Sequence, residues 1–337
     1  MKNLLLKKTS AKNRETTSIW KRFQRKSKLA TLVLFAIASS SIAQNEKCGS
    51  DDINREFWKQ NPEKFIDLEK QLQKTIRNNK NKRGAAQIYH IPVVVHVIHL
   101  GEAEGTGSNI SDASIISGIE RINAGYRNLN GEGNDVKVEF HLAIQNPSCG
   151  ITNGIQRIDG SSITNYTTSG LIIDDINAVN SSHRAVKASS FWPSQSYYNI
   201  WIVSDISSLN SEDEIVGGPP GFANMPLGPP GFDGSVIKYT FWSDEYNTGI
   251  HELGHGFGIY HTFEGDVKKE ANKPDVSVCP SKTGCGYELG DCCDDTENYK
   301  RNEPNCSSEN TDINSCTNQL FGKVAANYLS YSLHSCR

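Results

Sequence analysis

The sequence predicts a mixed α/β fold over residues 84–261, continued by an irregular, cysteine-rich segment over residues 262–337. Three observations carry this reading. β-Branched runs alternate with helix-periodic segments through the first part. A histidine-bearing helix stands at its end. Beyond that helix, Cys, Gly, Asn and Asp replace regular patterning.

The elements follow in order. Residues 57–78 predict an amphipathic helix, with Phe57, Phe65, Leu68, Leu72 and Ile76 among its apolar positions. A polar, basic stretch (NNKNKR, residues 78–83) comes next, of the kind that proteases cut. Residues 88–100 form a β-branched strand, and Ser111 caps a helix carrying Ile115, Ile116, Ile119, Ile122 and Tyr126. Residues 136–144, 197–203 and 236–241 predict further strands. Two copies of GPPGF, at 218–222 and 228–232, predict a surface loop near the substrate cleft, because Pro removes donors and Gly breaks regular structure. A helix opens near Tyr246.

Composition narrows the class. With 36% hydrophobic and 22% charged residues, the chain is neither mainly disordered nor a multispan membrane protein. The formal net charge of −3 combines a basic N-terminal stretch with an acidic body, which argues against nucleic acid as a partner. Residues 29–38 (LATLVLFAIA) are a short apolar run behind basic residues, followed by small residues around Ala43. This predicts a signal peptide over residues 1–43, a secreted product and no retained membrane anchor. In an exported chain the cluster Cys279, Cys285, Cys292, Cys293, Cys306, Cys316 and Cys336 reads as disulfides.

The chemistry lies in residues 251–261, HELGHGFGIYH. On a helix, His251 and His255 share one face and present two nitrogens to one metal. Gly258 permits a left-handed exit, and His261 returns as a third ligand. Three neutral ligands leave the fourth zinc position to water, as catalytic sites require. Glu252, beside the first ligand, is placed to take a proton from that water. A helix with two surface histidines is the plain alternative; the extended motif outweighs it.

The extended motif is that of the metzincin metallopeptidases. With IPVVVHV (91–97), YNIWIV (198–203), HTFEG (261–265), GDCCDDT (290–296) and NYLSY (327–331), the chain resembles the pappalysin family, particularly its small bacterial members. The resemblance implies a metzincin-like α/β (α+β) zincin. A twisted mixed sheet with the zinc helix would form an upper part (84–261), and an irregular, disulfide-rich subdomain a lower part (262–337). It implies a secreted zinc metalloendopeptidase acting on proteins or peptides, with residues 44–83 as pro-segment and residues 84–337 as catalytic domain. In the zymogen Cys48 would occupy the fourth zinc position as a thiolate. Nine cysteines fit one switch plus eight others; a disulfide partner for Cys48 is the alternative. Activation would follow a cut near Lys82 and Arg83.

Further roles follow from the same resemblance. Tyr331 matches the tyrosine that steadies the tetrahedral intermediate, though a core aromatic would look the same in sequence. Leu329 stands where the family's methionine turn has Met; similar volume preserves packing. Asp291 and Thr296 match oxygen ligands of a structural calcium, although Glu297 replaces the usual proline. His334 stands where small relatives carry an Asp that selects Arg or Lys, so it offers a basic side chain no fixed charge. Relatives continue past the position of Cys336 into a closing helix, so the chain reads as C-terminally truncated at Arg337. A secreted pseudo-protease or binding protein that keeps the zinc site is the competing reading; intact Glu252 and all three histidines favour the enzyme.

Overall fold

The computed structural model describes residues 48–79, 87–129, 131, 133–173, 181–226, 228, 231–243, 246–268, 276–281, 285–286, 289–301 and 313–331. The expected signal peptide, the Lys82–Arg83 linker and His334 lie outside them.

A six-stranded sheet organises the molecule, built from β1 (Tyr89–His99), β2 (Val138–Leu142), β3 (Ile155–Asp159), β4 (Tyr198–Val203), β5 (Gly221–Asn224) and β6 (Gly234–Lys238). Its order is β2-β1-β4-β6-β5, and β3 also pairs with β1. Residues 89–93 of β1 take β2 and residues 95–99 take β3, so two short strands share one flank. Every pairing is parallel except β5 with β6. Strand β1 is buried on both faces from Val93 to Ile98, which explains an apolar run interrupted only by the buried His96.

The longer helices are α1 (Ser50–Gln60), α2 (Pro62–Asn79), α3 (Asp112–Tyr126), α4 (Ser182–Ala188) and α5 (Thr248–Gly256). Ser111 caps α3 as expected, its hydroxyl accepting from Ser114 N–H. One face of the sheet, Val93, Val95, Val97, Ile200 and Ile202, packs on Ile115, Ile119 and Ile122 of α3 and on Ile250 and Leu253 of α5. The other face, Ile98, Trp201, Val203 and Phe222, packs on Ile53 of α1 and Val186 of α4. The sheet thus fixes α5 from one side and receives α1 on the other. Among the described residues no helix is long and apolar enough to cross a membrane.

Three expectations need correction. The single helix over 57–78 is two helices: Asn61 leaves helical geometry at φ −134° and ψ 55°, and Pro62 opens α2. A proline there would clash with the carbonyl four residues back in a continuous helix, but suits a first helical turn. The strand over 236–241 is β6, ending at Lys238, followed by a 3₁₀ turn at Tyr239–Phe241. Finally, the first GPPGF copy is no surface loop at its end, because Gly221 and Phe222 enter β5, buried throughout.

The lower part is irregular, as expected. Three two-stranded ladders, Val267–Lys268 with Val276–Ser277, Cys285–Gly286 with Gly290–Asp291, and Ile313–Asn314 with Gln319–Leu320, surround a small core of Phe263, Tyr299, Phe321 and Val324. Cys279 and Cys316 form a disulfide, and Cys292 is disulfide-bonded too. Cys48, Cys149 and Cys293 are free thiols, so the expected pairing of all eight cysteines besides Cys48 does not hold.

One packing contact reverses an ordinary rule. Gly118 lies inside α3, where alanine normally gains up to about 1 kcal/mol. A Cβ there would stand 2.4 Å from the Trp242 indole, which is buried and donates to Ser114 O. Gly118→Ala should therefore destabilise the domain by about 1–3 kcal/mol, read from the urea midpoint. A raised midpoint would refute this packing.

Candidate functional site

The zinc-motif helix is α5, wedged between the sheet and α3. His251, Glu252 and His255 are all buried on it. The helix stops at Gly256, whose Cβ would collide with the Tyr198 hydroxyl at 1.8 Å. Gly258 then takes φ +84°, the left-handed exit expected of it. Ile259 N–H returns to Gly254 O at 3.1 Å, and the chain delivers His261 beside the helix.

Three imidazole nitrogens converge. The Nε2 atoms of His251 and His255 are 3.1 Å apart, those of His255 and His261 3.1 Å, and those of His261 and His251 3.2 Å. Each ring is held through its other nitrogen. His251 Nδ1 lies 2.6 Å from Tyr328 O, and His255 Nδ1 2.7 Å from Ile259 O. A carbonyl only accepts, so these Nδ1 atoms carry the protons and the Nε2 lone pairs face inward. His261 Nδ1 meets Asp51 Oδ1 at 2.8 Å. Burial keeps His255 neutral, its pKa lowered to about 3. Burial opposes protonation of His261 too, but the Asp51 charge and hydrogen bond override it and raise its pKa to about 9.

Cys48 completes the group. Its thiol and the three histidines place one ligand atom each within 4.8 Å of one another, all buried. The thiol donates to Glu252 Oε2 at 3.3 Å and accepts from Ser50 N–H at 3.3 Å. Burial, then the Glu252 charge, pushes its pKa well up. Glu252 is 1% exposed, and burial raises its carboxyl to about 7 against the hydrogen bonds from Cys48 and Ser50.

Residues 49–54 also close the adjoining strand edge. Gly49 N–H donates to Gly221 O at 3.0 Å, and Ala223 N–H donates to Ser50 Oγ at 2.7 Å. The Asn54 amide donates to Ala223 O at 2.9 Å and accepts from Met225 N–H at 2.9 Å. The outward hydrogen-bonding groups of β5 are thereby occupied. Sequence reading named Cys48 but missed Ser50, Asp51, Asn54 and the β5 edge, since only the fold brings residues 48–54 against residues 221–225.

The remaining site residues fall as follows. Tyr331 is half-buried above the histidines, its ring 4.8 Å from His261 and 4.6 Å from Phe263, and its hydroxyl donates to Cys48 O at 3.4 Å. It packs against the lower core as well, as the core-aromatic reading expects. Leu329 lies under α5, where a Cβ on Gly254 would stand 3.1 Å from it. Its carbonyl accepts from Thr262 N–H at 3.2 Å, tying the 327–331 turn to the third histidine. Asp291 Oδ1 accepts from Cys293 N–H at 3.0 Å, and the Thr296 side chain bonds the same carboxylate. Among the described residues, clusters of three or more metal-ligating side chains occur at the histidine–cysteine group, at Asp51 with His261 and Glu264, and at His90 with Glu139 and His141, not at Asp291.

A zinc ion with four tetrahedral ligands and Zn–N bonds near 2.0–2.1 Å sets its ligand nitrogens about 3.3 Å apart. The observed triangle is close to that size, and imidazole with thiolate suits zinc, so the residues present fit the metal.

Comparison with known proteins agrees with this geometry. Residues 180–336 match the peptidase family model described as pregnancy-associated plasma protein-A. Human pappalysin-1 is 29% identical over 107 residues, covering 31% of this chain and 6% of that protein. An extracellular metalloprotease of Pyricularia oryzae is 34% identical over 103 residues, 31% of this chain and 27% of that protein. The chain thus spans about a quarter or less of the curated relatives it matches. Among solved structures, mature mirolysin of Tannerella forsythia with a cleaved peptide aligns at TM-score 0.51 and 24% identity, over 74% of this chain and 86% of that one. A promirolysin mutant aligns at TM-score 0.55 and 23% identity, over 86% and 88%. These likenesses show a shared fold. The histidine motif lies within the matched residues 180–336, and over them the chain is similar to the pappalysin metallopeptidases.

Proposed function

We propose that the chain is a secreted zinc metalloendopeptidase made as a zymogen. The observation that carries this reading is the convergence of three Nε2 atoms beside the buried Glu252 carboxyl. His251, His255 and His261 would hold zinc. When bound there, zinc supplies Lewis-acid chemistry, polarising a carbonyl and acidifying water toward neutrality. Glu252 accepts a proton at Oε2 from the attacking water and passes it to the leaving amine. A carboxylate within reach of the attacking water can serve as base and then as acid. Burial keeps the Tyr331 hydroxyl protonated, so it can donate to the carbonyl oxygen as charge develops.

Residues 44–83 are the pro-segment, and 84–337 the catalytic domain. Cys48 takes the position water needs, Ser50 engages Glu252, and residues 49–54 seal β5. An extended substrate peptide would pair with that edge once they leave. Cleavage near Lys82 and Arg83 would release them. The larger share of this chain covered by promirolysin (86%) than by mature mirolysin (74%) supports this division. The Cys279–Cys316 disulfide and the relative named as an extracellular metalloprotease support secretion. Peptides and proteins are the substrate class, and a cleaved peptide accompanies the mirolysin structure. His334 would line the substrate pocket, without the charge that selects Arg or Lys.

The direct test is hydrolysis of a mixed peptide library after limited trypsin treatment. Cleavage should require the cut, stop with a chelator, and fall about 10²–10⁴-fold in Glu252→Ala. A folded, zinc-loaded protein that cuts nothing would instead be a binding protein.

Structural calcium at Asp291 and Thr296 is a second part of the reading. It is supported by the half-buried Asp291 carboxyl, which burial pushes up, with the Thr296 side chain bonded to it. Calcium at about a hundred times its Kd should add about 2.7 kcal/mol and raise the melting temperature, an effect lost in Asp291→Ala. Melting indifferent to calcium would dismiss the site.

A further inference from the structure

Glu264 is 1% exposed, and neither of its carboxyl oxygens has a hydrogen-bond partner. Leaving a buried carboxylate without a partner is costly, so such a group calls for an explanation. Its Oε2 lies 3.7 Å from His261 Nδ1, too far for a hydrogen bond, while Asp51 Oδ1 holds the same nitrogen at 2.8 Å. The two carboxylates therefore compete for one N–H, and Asp51 has it.

They belong to different parts of the chain. Asp51 sits on α1, and its second oxygen lies 3.9 Å from Arg301 Nη1 and makes no hydrogen bond. Glu264 follows His261 by one short turn, Glu264 N–H donating to His261 O at 3.0 Å. Arg55, also on α1, acts electrostatically on both carboxylates. Departure of α1 would remove Asp51 and Arg55 together, the two charges of that helix that act on Glu264. Arg301 stays, bonded to Asp266 through Nε and Nη2. The proton on His261 Nδ1 would then face Glu264.

We propose that Glu264 is the positioning residue that orients His261 in the mature enzyme, and that Asp51 occupies its role in the zymogen. Closing 3.7 Å to hydrogen-bond distance takes less than about 1 Å, within reach of a side-chain torsion. A carboxylate on the outer nitrogen of a ligating histidine fixes its tautomer and raises its basicity, and losing it typically costs about 10–100-fold in metal affinity. Pro-segment removal then exchanges one carboxylate for another, and the third ligand is never left unsupported. The inference rests on the zymogen reading above.

The test is zinc affinity by chelator competition, on uncut chain and on chain cut in the 78–83 linker with its new N-terminus sequenced. Glu264→Leu removes both acceptors at similar volume, and Glu264→Gln keeps a neutral one. Glu264→Leu should lose about 10–100-fold in the cut form and nothing in the uncut form, with Glu264→Gln in between. Uncut Asp51→Asn with Glu264→Leu should lose affinity where uncut Glu264→Leu does not. Equal losses for Glu264→Leu in both forms, or no loss in the cut form, would overturn the proposal. Failure of the unaltered chain to bind zinc in either form would overturn the zinc reading instead.

Discussion

Three imidazole Nε2 atoms lie within 3.2 Å of one another, close to the spacing that a tetrahedral cation would hold. Everything around them serves to keep it. Two of the outer nitrogens are fixed by backbone carbonyls, so the ring orientations are set by the path of the chain and not by side-chain choice. That path depends in turn on α5 being clamped between the sheet and α3, on Gly258 turning it, and on the 327–331 turn meeting it from below. A closed donor triangle of this size is what a tetrahedral metal imposes, and the fold provides it preformed.

The segment 48–54 meets each part of that centre with a different side chain. Cys48 points at the triangle, Ser50 and Cys48 share Glu252, and Asp51 supports His261 from outside. Close approach makes this possible, since a Cβ on Gly49 would stand 2.6 Å from Ile173 and 2.7 Å from Pro219. The same residues complete the edge of β5. Contact with the histidine centre and cover for the strand edge are therefore one surface, which guards an open strand from stray pairing.

Much of this was legible in the sequence because it is local. The histidine spacing, the glycine exit, the Ser111 cap and the β-branched runs of β1 and β4 each depend on residues a few positions apart. Alternating strands and helices gave the fold class in the same way. What escaped was non-local or masked by composition. Pro62 interrupts a helical pattern whose apolar periodicity runs on across it. The first GPPGF copy looks like loop, yet Phe222 is pulled into the sheet by packing on Ile53 and Trp201. Asp51 and Glu264 look like two ordinary acids among thirty-eight, and only tertiary contact sets them against one imidazole. Cysteine parity failed because Cys149 and Cys293 remain free.

The central claim is that the histidine triangle and Cys48 form one metal centre whose fourth ligand is exchanged on activation. Zinc K-edge X-ray absorption of the loaded protein tests it directly. The uncut chain should give three nitrogens near 2.0 Å and one sulfur near 2.3 Å, and the cut chain should lose the sulfur and gain a light atom. A zinc shell without sulfur in the uncut chain, or an unchanged shell after cleavage, would contradict the account.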